Sequence, residues 1–199
     1  MNEQQRRPGL TMTTQAAEGL MRRRWSVTEI EAIVKAGILA EDERFELIGG
    51  EVVPMSPKGI RHERVKGTLA EYWYARRPPE IGIIQETTFH LDEDTFVEPD
   101  FVFFRKSDGL AHLKPETCLL AVEVADSSLL YDLHRKARLY ATFGVREVWV
   151  INAQTLLTHV HRQPGLDGYR DKTEIAPDQE LVPDFAPALA VTLGALQLI

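Results

Sequence analysis

The sequence is poor in the features that mark secreted, membrane-spanning and zinc-clustered chains. Its one cysteine, Cys118, excludes an intrachain disulfide and a thiolate cluster for zinc. Leu119 and Leu120 follow it, so a small buried core residue is expected there and not a nucleophile. No apolar run approaches the roughly 20 residues needed to cross a bilayer. The first residues are polar where a signal peptide is apolar, so a cytoplasmic protein is expected, with no membrane partner. An excess of positive charge is missing as well. The formal net charge of -7 over 199 residues is the reverse of what a nucleic-acid backbone attracts. Arg61, Arg64, Lys66, Arg76 and Arg77 could supply a local basic surface, although a solvated helix face is the commoner meaning of such a run. Internal repeats, low-complexity tracts, a P-loop and a GxGxxG are all absent, which removes the usual nucleotide-binding signatures.

What is present is an ordinary globular composition, 44% hydrophobic and 27% charged, in a chain long enough for one well-buried core. Residues 1–24 show no sustained apolar period and are expected to be a mobile tail, leaving residues 25–199 as the folded domain. Ser26 followed by Glu29 is a capping box, and Val27, Ile30, Ile33 and Val34 give the helix one apolar face that Gly37 ends. Phe45, Leu47, Val52 and Val53 flank Gly49-Gly50, the signal for a tight hairpin. Glu46 then points away from Phe45 and Leu47, and by itself reads as a surface glutamate. Residues 61–77 carry Val65, Leu69, Tyr72 and Trp73 at helical spacing before Pro78-Pro79. His62 lies in the first turn, where histidine is usually polar surface. Residues 81–91 read as one imperfect strand, and Asp92-Glu93-Asp94 as a turn.

The centre of the chain carries the chemistry. Phe101–Phe104 and Leu119–Val124 are continuous apolar runs, as expected of strands buried on both faces. Pro99-Asp100 opens the first run and Glu123 lies inside the second. A lone buried carboxylate costs several kcal/mol, so a cation is expected beside Glu123. Two carboxylates on adjacent strands can share a hard divalent cation such as Mg²⁺. Residues 132–143 read as an α-helix with Leu133, Ala137 and Tyr140 inward and Arg135 and Arg138 outward. Lys136 falls on the border of the inward face, where its amine could hold an attacking water or developing charge. It is therefore expected to matter to chemistry more than to folding. Gly144 ends the helix, and residues 148–151 form a third buried strand parallel to the one bearing Glu123. Beyond Asn152, an antiparallel hairpin at a sheet edge is expected. His159 and His161 share one of its faces, a spacing that can bind metal, but an exposed polar face is the preferred reading. The C-terminal stretch is expected to pack back as a short strand and a helical turn.

Taken in order, FELIGGEVVPMSP, His62, EPDFVFF, LLAVEVADSS, and Asp132-x-x-x-Lys136-x-x-x-Tyr140 followed by GVREVWVI resemble the Uma-type restriction endonuclease family within the PD-(D/E)XK nuclease superfamily. The match runs from about Trp25 to the C-terminus. It implies an α/β fold with a restriction-endonuclease-like core, a mixed central sheet flanked by helices. It further implies Mg²⁺ or Mn²⁺ held by Asp100 and Glu123, with the carbonyl of Val124 as a third ligand and Glu46 as a further ligand or orienting carboxylate. His62, Asp132 and Tyr140 match supporting positions. Two residues after Glu123, where the superfamily pattern has lysine, stands Ala125, and Lys136 looks like the relocated lysine. Asp126 replaces the usual serine and adds a charge next to the site. The implied activity is metal-dependent hydrolysis of nucleic acid, DNA foremost, and by analogy a homodimer is allowed. The alternative from another class is a non-catalytic binding or dimerisation module that retains the fold, since fold does not imply function.

Overall fold

The computed structural model describes residues 23–40 and 42–197. The expected tail therefore lies outside the described residues except for Arg23 and Arg24. Both of these are engaged: Arg23 donates to Glu29, and the Arg24 guanidinium donates to the Gly49 carbonyl at 2.8 Å and to Asp94 at 2.5 Å.

Helix α1 (Val27–Lys35) begins with the expected box, in which the Ser26 hydroxyl accepts from the Glu29 N–H and the Glu29 carboxylate accepts from the Ser26 N–H. Strands β1 (Phe45–Ile48) and β2 (Glu51–Pro54) pair antiparallel across Gly49 and Gly50. Both glycines have positive φ, 57° and 79°, the backbone that a two-residue hairpin turn demands. Helix α2 (Ile60–Arg76) follows, then β3 (Ile81–Ile84), β4 (Phe89–Asp92), β5 (Thr95–Val97), β6 (Phe101–Arg105) and β7 (Cys118–Ala125). A short helix α3 (Leu129–Tyr131) runs into a π-helical turn, Asp132–Lys136, and on into α4 (Ala137–Thr142). Strands β8 (Glu147–Asn152), β9 (Thr158–Arg162) and β10 (Asp171–Ile175) complete the order.

The strands form two sheets, β2-β1-β5-β4 and β10-β9-β8-β7-β6-β3. The larger is mixed, as the resemblance implies: β7 pairs β8 in parallel and β6 antiparallel. Alternation along its strands sends Phe101, Phe103, Val122, Val124 and Trp149 to one face, against Val65, Leu69 and Trp73 of α2. Val102, Ala121, Val148 and Val150 go to the other face, against Tyr140 and Ala141 of α4. Trp73 meets Phe101 and Phe103 edge-on, each at 5.1 Å between ring centres. Burial on both faces is why these strands read as unbroken apolar runs. The smaller sheet packs Leu47 and Phe96 under Val27 and Ile30 of α1. Only Glu98-Pro99-Asp100 separates β5 of one sheet from β6 of the other, so the chain passes between the sheets at these residues.

The structure corrects several sequence expectations. The single strand over residues 81–91 is two strands in different sheets, β3 and β4; Glu86, at φ 50°, leaves the extended region between them. The helix over residues 132–143 is not uniformly α, and its π turn leaves Leu133 half-buried while Lys136 is fully inside. His161 is not on an exposed face. It is 5% exposed, because β10 extends the sheet beyond β9 and Tyr169 packs 5.6 Å from its ring. The C-terminal stretch packs back with a final helical turn as expected, but its short strand is one bridge, Leu181 to Val191, and its turns, 187–189 and 193–195, are 3₁₀. Nor do the five basic residues of α2 form one surface. Lys66 is buried between Glu63 and Glu86, and Arg76 and Arg77 lie over Tyr72 and Tyr74. At about 1.5 Å per residue these last two stand roughly 22 Å from Arg61.

Candidate active site

The ends of β6 and β7, the start of α2, strand β1 and the π turn converge on one cleft of about 390 Å³. It gathers Glu46, His62, Asp100, Glu123, Val124 and Lys136, all the residues singled out from the sequence. Register explains the first juxtaposition. Phe101 pairs with Val122, so one step further Asp100 stands level with Glu123, and its Oδ2 accepts from the Val124 N–H at 2.7 Å. From α2, His62 places Nε2 2.9 Å from Asp100 Oδ1 and Nδ1 3.0 Å from Glu63. His62 is buried because it shares the inward stripe of Val65, Leu69 and Trp73.

Lys136 is the hub on the other side. Its Nζ lies 2.8 Å from Glu123 Oε1 and 2.8 Å from Glu46 Oε1. Tyr140, one helical turn on, donates to Glu123 Oε1 at 2.6 Å. Asp132, Lys136 and Tyr140 are spaced by four, and the segment that opens with the π turn carries all three on its buried face. Glu46 is therefore no surface glutamate. It is 3% exposed and also accepts from the Glu98 N–H at 3.0 Å, which joins the small sheet to the site.

Burial and charge set the protonation of these groups. Burial would raise the Asp100 carboxyl, but the hydrogen bond and charge of His62, the Lys58 ammonium and the Val124 N–H together hold it below the usual range. Burial pushes Glu123 up to about 8; Lys136 opposes the rise, and the negative charges of Asp132, Asp100 and Glu46 add to it. Burial would lower Lys136, but Glu123, Glu46 and Asp132 keep it charged, well above its ordinary value. Asp132 is raised by burial despite the 2.5 Å bond it accepts from Ser128. Asp126 lies at the cleft edge near the start of α2, 3.9 Å from Arg61 and bonded by Gln154, so its extra charge is partly matched.

Two site residues escaped the sequence reading. Lys58 sits 3.2 Å from Asp100 Oδ1 and also holds Glu86, and Glu98 carries Arg44 on its carboxylate. Periodicity gave no signal for either, because Lys58 lies in the loop before α2 and Glu98 in the link between the two sheets.

The family model for Uma2, described as "Putative restriction endonuclease", matches residues 30–194. The chain belongs to the Uma2 family. Among solved structures, the chain is similar to a "putative nuclease belonging to DUF820" from Anabaena variabilis ATCC 29413. The TM-score is 0.67 at 16% identity over 85% of this chain and 95% of that one. That likeness establishes a shared α/β fold. No match is found among curated proteins. Among the described residues, no helix is long and apolar enough to cross a membrane.

Proposed function

We propose that this Uma2 chain is an endonuclease that hydrolyses phosphodiester bonds in nucleic acid, DNA being the expected substrate, with Mg²⁺ or Mn²⁺ as cofactor. The observation that carries this reading is the charge balance of the cleft, where six carboxylates face two lysines and one histidine. Crowded carboxylates repel, and a hard divalent cation relieves them. The donors fit such a cation in kind, since all are oxygens. Among the described residues no three Asp, Glu, His or Cys side chains form a ready cluster.

Asp100 and Glu123 would hold the cation, with the Val124 carbonyl and Glu46 as further donors. Once bound, it would lower the pKa of water and neutralise charge on the phosphoryl oxygens. The chain's own residues do the positioning. His62 and the Val124 N–H hold Asp100 in one orientation, and Tyr140 does the same for Glu123. Lys136 has three N–H donors; Glu46 and Glu123 take two, and the third serves the attacking water or the phosphorane oxygen.

Incubating supercoiled plasmid with the protein in Mg²⁺ and in EDTA tests this reading. Nicking that needs Mg²⁺ and disappears in Asp100→Ala is expected. Plasmid left intact by well-folded protein in both Mg²⁺ and Mn²⁺ would favour the non-catalytic module, for which the internal pairing of the site carboxylates with Lys58 and Lys136 is the supporting observation.

A further inference from the structure

We infer that Lys58 is a displaceable internal cation: it competes with a divalent metal ion for Asp100 and, when displaced, is received by Glu86, its second carboxylate partner. The inference rests on the reading that the site takes a divalent cation, and adds the residue that gates its entry. Lys58 and Lys136 each occupy one of the two proposed ligands, Lys58 at 3.2 Å from Asp100 Oδ1 and Lys136 at 2.8 Å from Glu123 Oε1. A divalent ion between these carboxylates would meet both ammonium groups at short range, so one of them must yield.

The surroundings decide which one. Lys136 is 5% exposed and lies between Glu46 and Glu123, both almost fully buried. Lys58 comes from the loop joining β2 to α2, and its other partners lie toward solvent: Glu86 in direct contact and Glu98 at 4.0 Å. Its amine already touches both Asp100 and Glu86, so side-chain rotation alone moves it from one to the other. Next to Lys58 the loop passes close to Asp126, whose Oδ2 would lie 2.8 Å from a β-carbon added at Gly59.

Glu86 is built as the receiver. Its φ of 50° is a conformation that non-glycine residues rarely adopt and that surrounding contacts must hold. The buried Lys66 holds the same carboxylate oxygen, Oε1, that Lys58 contacts, at 2.5 Å. Burial would raise the Glu86 carboxyl, but Lys58 and Lys66 outweigh it and keep it at about 2. It is thus a fixed anion throughout the neutral range. Lys58 lines the cleft, so its charge, moved onto Glu86, stays beside the site where a phosphodiester would meet it.

Calorimetric titration of the full chain with Mn²⁺ tests this, with wild type, Lys58→Met and Glu86→Gln compared and their folds checked by thermal melting. Removing the competitor should tighten Mn²⁺ binding about tenfold in Lys58→Met, in line with the loss of one nearby like charge. Removing the receiver should weaken it in Glu86→Gln, and that weakening should shrink in the Lys58→Met background. Lys58→Gln carries the same expectation as Lys58→Met and serves if that variant does not fold. Mn²⁺ binding by Lys58→Met but not by wild type would also support the inference. If wild type binds Mn²⁺ and the Lys58 variants bind it equally or more weakly, Lys58 is no competitor, while the metal reading of the site stands. If none of the folded proteins binds Mn²⁺, the metal reading fails and this inference falls with it.

Discussion

Lys136 reaches Glu123 from the helix facing the sheet, its Nζ 2.8 Å from Glu123 Oε1. The strand itself bears Ala125 at the position where a lysine would stand in the superfamily pattern. The same amine holds Glu46, also at 2.8 Å, so Lys136 ties strand β1 to the helix as well as standing in the proposed site. Removing one member of a buried ion pair costs about 3–5 kcal/mol, and here it leaves the Glu46 carboxylate without compensation. Lys136→Met should therefore lower stability by that order in urea denaturation, and adding Glu46→Gln should recover part of the loss. A melting curve equal to that of wild type would show that the buried lysine contributes nothing to stability.

Glu123 predicts a pH dependence. Its carboxyl is raised by burial and by the neighbouring carboxylates to about 8 in the folded chain, from an ordinary 4.5. Between these values the folded state holds a proton that the unfolded state has lost, so stability falls as pH rises. The contribution is full below 4.5 and gone above about 8. Without divalent cations, wild type should lose melting temperature relative to Glu123→Gln across this window. Parallel curves for the two proteins would refute the assignment.

His161 acts in the opposite sense at lower pH. Burial, with Lys172 and His159, lowers it to about 4 from 6.5, and neither ring nitrogen has a hydrogen-bond partner. The unfolded chain takes up the proton first, so this contribution is present above 6.5 and is lost as pH falls toward 4. His161→Leu should melt nearer to its neutral-pH temperature at pH 4.5 than wild type does. Identical acid profiles would exclude the histidine as a source of acid lability.

Gly82 tests packing at the sheet edge. It pairs with Phe104, and a β-carbon there would lie 2.4 Å from the Phe104 ring. Gly82→Ala must move that ring, at a cost of about 1–3 kcal/mol for overpacking. Chemical denaturation measures it, and Gly82→Ala with Phe104→Leu should be closer to wild type.

Much of this molecule was legible before folding was considered. The apolar runs of β6, β7 and β8 imply a sheet covered on both faces, and the capping box and paired glycines mark α1 and the first hairpin, because these features depend on local sequence and on simple alternation. Asp100 and Glu123 stood out as charges opening or interrupting such runs. Glu147, however, also heads an apolar strand, and the sequence alone does not separate it from Glu123. Tertiary structure does: Arg162, Trp149 and the Asp184 N–H satisfy Glu147 away from the cleft, while Glu123 meets Lys136 and Tyr140 inside it. Tertiary structure also turned Glu46 inward, put a π turn where 3.6-residue periodicity placed Lys136 on a border, buried His161, and set Lys58 against Asp100 and Glu86. Each of these depends on contacts between segments far apart in the chain. Periodicity tells which face of an element is apolar; which charges meet across elements is decided only when the layers pack.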